Sequence, residues 1–495
     1  MLFNSYQFLV FFPVVVLVYF IIPRKIRYVW LLIASYYFYM SWNAKYALLL
    51  LTSTAITYIS GLLLAAIQPK GHRQVVGRKI VVAASFLSNL SILFFFKYFD
   101  FAIENINAVL AAFHVELLHP QFDILLPVGI SFYTFQALSY TMDVYREEVA
   151  AEKNPLKYAL FVSFFPQLVA GPIERSKNLL KQINEEHRFS YERMCDGLML
   201  MVWGYFMKLV IADRIAIFVD NAYSTKVLYD GRYLLLASVL FAFQIYCDFA
   251  GYSTIAIGAA KVLGFDLMEN FDCPYFSETV AEFWRRWHIS LSSWFRDYLY
   301  IPLGGNRKGK FRKYLNTMIV FLVSGLWHGA NWTYVIWGAL HGVYQVLGYI
   351  TINARKKMFE KFGWNWDSKW HGMLQTAVTF VLADFAWIFF RANNTAELGV
   401  LLNRLFTSWS VPMSEVFDTM GLTLTGAVIS VLSVAIMVIL DRLVRHNEQP
   451  QPDGTLRSTL AISNGKSLVY VWAIIIAWMV LLAGDGSSSF IYFQF

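Results

Sequence analysis

Two stretches of this chain set titratable side chains among apolar or aromatic neighbours. In VSGLWHGANWTYVIWGALHG (residues 323–342), His328 follows the basic cluster that ends at Lys313. About fourteen residues of helix at 1.5 Å each put it ~21 Å along a span. In EFWRRWHISLSSWFRDYLYIPLGGNRKGK (residues 282–310), aromatic residues alternate with Arg285, Arg286, His288, Arg296 and Asp297. An imidazole titrates near pH 6.5, and burial favours its neutral, basic form, so either histidine suits proton transfer. Plainer readings stand beside this one. His328 can be a neutral histidine hydrogen-bonded within a helix bundle, and the segment around His288 can be an interfacial helix with aromatic anchors and snorkelling arginines. His341, in GALHG, suits close helix packing.

The elements that must hold these residues are membrane helices. Of 495 residues, 58% are hydrophobic and only 15% charged, against about a quarter charged in soluble proteins. Apolar stretches at residues 8–22, 80–96, 422–440 and 467–483 are near the length that crosses a ~30 Å hydrocarbon core. The expected fold class is therefore all-α, a polytopic transmembrane protein of about 11 spans. Basic loops at residues 23–27, 70–79, 174–182, 306–313, 354–362 and 441–446 separate the spans and are read as cytoplasmic, which accounts for the net charge of +8 without nucleic acid. The apolar N-terminal stretch has no basic residue before it and is read as an uncleaved span.

Between residues 126 and 172, Pro127, Gly129, Pro166, Gly171 and Pro172 interrupt apolar sequence. Broken helices persist at membrane depth only where protein or a wet cavity satisfies the freed backbone groups, and a cavity is expected here. Asp248, in YCDFAGYS, and Asp384, in LADFAWIFFR, each orient a histidine or form a structural ion pair. Cys195, Cys247 and Cys273 are too scattered for a metal site or a disulfide framework. The chain closes on FIYFQF after GDGSSS. Counting spans from the basic loops places this tail, residues 486–495, outside the cell membrane, beyond a membrane domain of residues 1–485 whose core is about 120–395.

Taken together, EFWRRWHISLSSWFRDYLYIPLGGNRKG, GLWHGANWTYVIWGALHG, LLPVGISFYTFQALSYTMDVYR, FPQLVAGPIER, QIYCDFAGYSTIAIG and FRANN resemble the membrane-bound O-acyltransferase family, in its bacterial branch that acylates cell-surface polymers. The resemblance covers nearly the whole chain. It implies a ring of tilted helices around a central tunnel, with His328 as the catalytic residue and His288 as a second position lining that tunnel. Trp327 and Asn331, flanking His328, would line the tunnel or orient a carbonyl, or simply pack; Asp248 and Arg296 are weaker candidates of the same kind. The implied reaction passes acetyl from a cytoplasmic thioester, acetyl-CoA, across the inner membrane for O-acetylation of an exopolysaccharide such as alginate. No permanently bound cofactor or metal is implied, and an extracytoplasmic SGNH-type transferase is the implied partner. Acylation of peptidoglycan, cellulose or teichoic acid is the alternative within the branch. A polar-solute transporter is the alternative outside it, though no internal repeat supports that. The tail either carries the acyl group on Tyr492, activated by His328, or anchors at the membrane interface.

Overall fold

The computed structural model describes residues 1–68, 72–118, 126–224, 230–446, 449–450, 456–457, 475–476 and 478–479. Among them, seven helical stretches are long and apolar enough to cross a membrane: Ala44–Ala66, His72–Ala112, Tyr191–Tyr223, Gly231–Leu263, Trp332–Lys361, Lys369–Arg391 and Leu424–Asp441. The gap from the expected eleven has local causes. Tyr6–Ile21 and Ile130–Tyr145 are each 16 residues long, and the first turn of Lys310–His328 carries Lys310, Arg312 and Lys313. The expected last span, residues 467–483, lies almost wholly outside the described residues. The only strand ladder among the described residues pairs Gln449–Pro450 with Leu456–Arg457.

Contacts divide the chain into two units, residues 1–198 with 256–268 and residues 199–255 with 269 onward. In the first, the broken stretch seen in the sequence is tightly packed. The Ile130–Tyr145 helix begins after Gly129, whose φ is +75° and whose missing Cβ would sit 2.7 Å from the Leu168 carbonyl oxygen. Only glycine adopts that conformation without cost in so tight a place. At the second break, near Phe164, side chains satisfy the freed backbone. Ser35 Oγ accepts from the Phe165 N–H at 3.0 Å. The Phe161 carbonyl accepts from Gln136 Nε2 at 2.6 Å and Gln167 Nε2 at 3.1 Å. Side chains thus satisfy backbone groups freed at this break.

In the second unit the Lys310–His328 and Trp332–Lys361 helices form a close hairpin. A Cβ on Gly325 would lie 2.3 Å from the Tyr334 carbonyl oxygen, and one on Gly338 would lie 2.2 Å from that of Phe321. Small residues let the two backbones approach, which is how helices associate where lipid removes the hydrophobic drive. The first helix stops at His328 because Gly329 turns extended, with φ −162° and ψ 151°. The second starts at Trp332, capped by Asn331, whose Oδ1 accepts from the Thr333 N–H. Between the two helices the chain breaks over residues 329–331.

Candidate active site

His328 is the last residue of its helix and is 4% exposed. Its ring meets those of Trp327 and Trp337 edge-on, each at 5.0 Å between centroids, and that of Phe390 at 5.5 Å. His288 is fully buried, between the short helices Val280–Arg286 and Ile289–Phe295. The two imidazole centroids are 6.5 Å apart, and Trp327 lies against both rings. Two histidines forty residues apart in sequence therefore share one aromatic chamber.

His288 has φ +45° and ψ +55°, a left-handed conformation uncommon for a residue with a side chain. Such a residue persists only where its surroundings over-determine it. Here residues 270–272 clasp residues 286–289. The Asp272 N–H donates to the Arg286 carbonyl and the Ile289 N–H to the Asn270 carbonyl, both at 2.9 Å, around the Phe271–Trp287 bridge. The Phe249 ring closes on His288 at 4.7 Å, edge to face. The interfacial-helix reading of this segment does not hold for its aromatic side, since Trp284, Trp287 and Trp294 are all buried.

Asp248, next to Phe249, is 2.6 Å from Lys208 Nζ, which also reaches Asp213 at 2.8 Å. All three side chains are at most 5% exposed. Lys208 sits in a π-helical turn, Phe206–Ala212, of the Tyr191–Tyr223 span. Sequence reasoning missed it, though a single lysine inside the apolar run WGYFMKLVIA is a signal that such a partner exists. Asn331 spends its amide on the backbone, capping its helix and donating to the Asn393 carbonyl at 2.6 Å. Asp384 accepts from Ser238 Oγ at 2.9 Å. Trp284 Nε1 donates to His341 Nδ1 at 3.2 Å, in keeping with the packing role expected for His341. Tyr492 and the rest of the tail lie outside the described residues.

A cavity of about 340 Å³ lies close to the chamber, with Trp284, Arg285, Arg296, Thr317, Ser324 and Gln345 in its walls and neither His288 nor His328 among the residues that line it. Ser324 is one turn before His328, and Ile289, the residue after His288, also lines the cavity. Arg296 is largely exposed there and pairs with Asp297 at 2.9 Å. The Tyr300 phenol in the wall titrates above its usual range because burial disfavours the phenolate.

Two buried histidines close together within a bundle of membrane-length helices mark a functional site of an integral-membrane protein. A profile of the membrane-bound O-acyltransferase family, MBOAT, matches residues 3–383. The chain belongs to that family and is a multi-pass membrane O-acyltransferase. It is 35% identical to a Pseudomonas putida protein named probable alginate O-acetylase AlgI, over the full length of both chains. A Helicobacter pylori peptidoglycan O-acetyltransferase is 36% identical, with 80% of this chain and 77% of the relative covered. A Bacillus subtilis teichoic acid D-alanyltransferase is 28% identical over 70% of this chain and 84% of its own.

Proposed function

We propose that this protein moves acetyl groups across the inner membrane for O-acetylation of an exopolysaccharide, alginate being the polymer named for the relatives that match end to end. The observation that carries the reading is the pair of buried imidazoles, 6.5 Å apart, beside an open cavity. In this scheme acetyl-CoA brings its thioester through the cavity, and Arg285 and Arg296 attract the donor's phosphates at the mouth. An acceptor hydroxyl gives its proton to His328 as its oxygen attacks the thioester carbonyl. The carbon–sulfur bond then breaks, and the leaving thiolate takes that proton from the imidazolium. Trp327 lines the chamber and keeps water from the thioester.

The first acceptor in this reading is the phenol of Tyr492, with the tail on the outer face. Its aryl ester then passes acetyl to a serine of an SGNH-type partner. A phenol near pKa 10 needs a base, which His328 supplies. Full-length protein in membranes is given labelled acetyl-CoA, and its C-terminal peptide is read by mass spectrometry. An acetyl adduct on Tyr492 that vanishes in Tyr492→Phe is the expected result. Undiminished polymer acetylation by Tyr492→Phe would leave the tail as an anchor only.

A further inference from the structure

The clasp that holds His288 also fixes the protonation pattern of its ring. Asn270 is 1% exposed, and its Oδ1 lies 3.0 Å from His288 Nδ1, 2.9 Å from Ser290 Oγ and 3.3 Å from the Ser290 backbone nitrogen. A backbone N–H can only donate, so the atom facing it must be the carboxamide oxygen; the flipped amide would set donor against donor. That same oxygen can only accept from His288, so Nδ1 carries the hydrogen. The lone pair of the neutral ring is then on Nε2.

From this we infer that Asn270 is a positioning residue, holding His288 in its Nδ1–H tautomer and presenting Nε2 as an acceptor to the acyl-transfer chamber. The inference rests on the proposed role of the histidine pair. It assigns the two histidines different conditions: His288 is locked through a side-chain amide, whereas His328 is held among aromatic rings. Asn270 needs no contact with substrate for this. Its oxygen gathers His288 and Ser290 across the start of the Ile289–Phe295 helix, and its own carbonyl accepts the Ile289 N–H. Ring orientation and main-chain turn are thereby fixed together.

Titratable groups on the elements around His288 are His328, the Asp248–Lys208–Asp213 cluster beside Phe249, Asp272 on the clasp, and Glu282, Arg285 and Arg286 on the helix before it. The Arg286–Glu282 pair is closed at 2.7 Å.

The test uses full-length protein in membrane vesicles with acetyl-CoA as the probe, rates being taken per folded molecule across pH. Asn270→Ala should lower kcat on the order of 10–100-fold with little change in KM, the usual cost of losing an orienting partner. Asn270→Asp keeps the acceptor but places a carboxylate on Nδ1–H. It should retain most activity while moving the acidic limb of the pH profile up by about one unit or more. In a His288→Gly background, where glycine accepts the left-handed backbone, Asn270→Ala should cost nothing further. Full additivity in that background, or an unmoved acidic limb in Asn270→Asp, would assign Asn270 a purely structural role and overturn the inference. Wild-type transfer by His288→Gly alone would instead strike the proposed role of the histidine pair.

Discussion

Two regions of this molecule break their helices for different ends. Around residues 127–175, proline and glycine open the backbone, and serine, glutamine and tyrosine side chains close it again. Around residues 286–331 the breaks fall at His288 and His328, and what occupies them is a pair of imidazoles among tryptophans. A titratable group alone does not separate the two cases. The first region has Glu174, fully buried, with Asn178 Nδ2 donating to it at 2.7 Å and the Met268 N–H donating as well. The difference is in what the group is bound to. Glu174 is spent on main chain and a neighbouring amide, whereas His288, held at Nδ1 by an amide, lies 6.5 Å from a second imidazole with a cavity close by.

That contrast can be broken most severely at His328. His328→Ala should cut acetyl transfer by about 10²–10⁴-fold, the range for a lost general base, with insertion and folded yield unchanged. Gly129→Ala should do the reverse, destabilising the fold by roughly 1–3 kcal/mol through the left-handed strain and the crowded Leu168 carbonyl and so lowering folded yield, with kcat per folded molecule intact. A loss of kcat at Gly129, or of folding at His328, would erase the distinction.

A smaller effect is expected at Glu174, whose carboxyl desolvation pushes up from 4.5 to about 7. The folded state therefore holds its proton more tightly than the unfolded chain does. The stability this gives is complete below about pH 4.5 and is lost as pH rises toward 7, about 3 kcal/mol in all at 1.36 kcal/mol per unit. Thermal unfolding in detergent across that range should show the slope, and Glu174→Gln should flatten it while transfer continues. Smallest of all is Asn331→Ala, which removes a helix cap worth about 1 kcal/mol. A loss of transfer beyond what that destabilisation explains would move Asn331 from the structural side of the comparison to the chemical one.

Much of this was legible in the sequence, for physical reasons. Span-length apolar runs announce a membrane bundle, and Pro127, Gly129 and Pro166 announce breaks, because neither residue type suits an uninterrupted helix. The two histidines were legible as isolated ionisable groups in aromatic surroundings, and their pairing as an implication of the family resemblance. What closes each break was not legible. Gln136 and Ser35 read as ordinary polar residues until the carbonyl and N–H they serve are seen. Asn270, in the unremarkable segment MENFDCP, has no periodicity or motif to mark it, since its importance is entirely a matter of which imidazole lies across the turn. Lys208 was visible but unpaired in one dimension, its carboxylates lying five and forty residues away.

The hairpin of the Lys310–His328 and Trp332–Lys361 helices has a metrological consequence. With Cβ-equivalent positions at 2.2 and 2.3 Å from opposing carbonyl oxygens, one added methyl at Gly325 or Gly338 would drive the helices about an ångström apart to restore ordinary contact distances. A misplacement of that size, arising away from the chemistry, can cost about 10²-fold in rate. The aim of the His328 ring is therefore gauged by two absent methyl groups, three and ten residues along the chain from the ring they align.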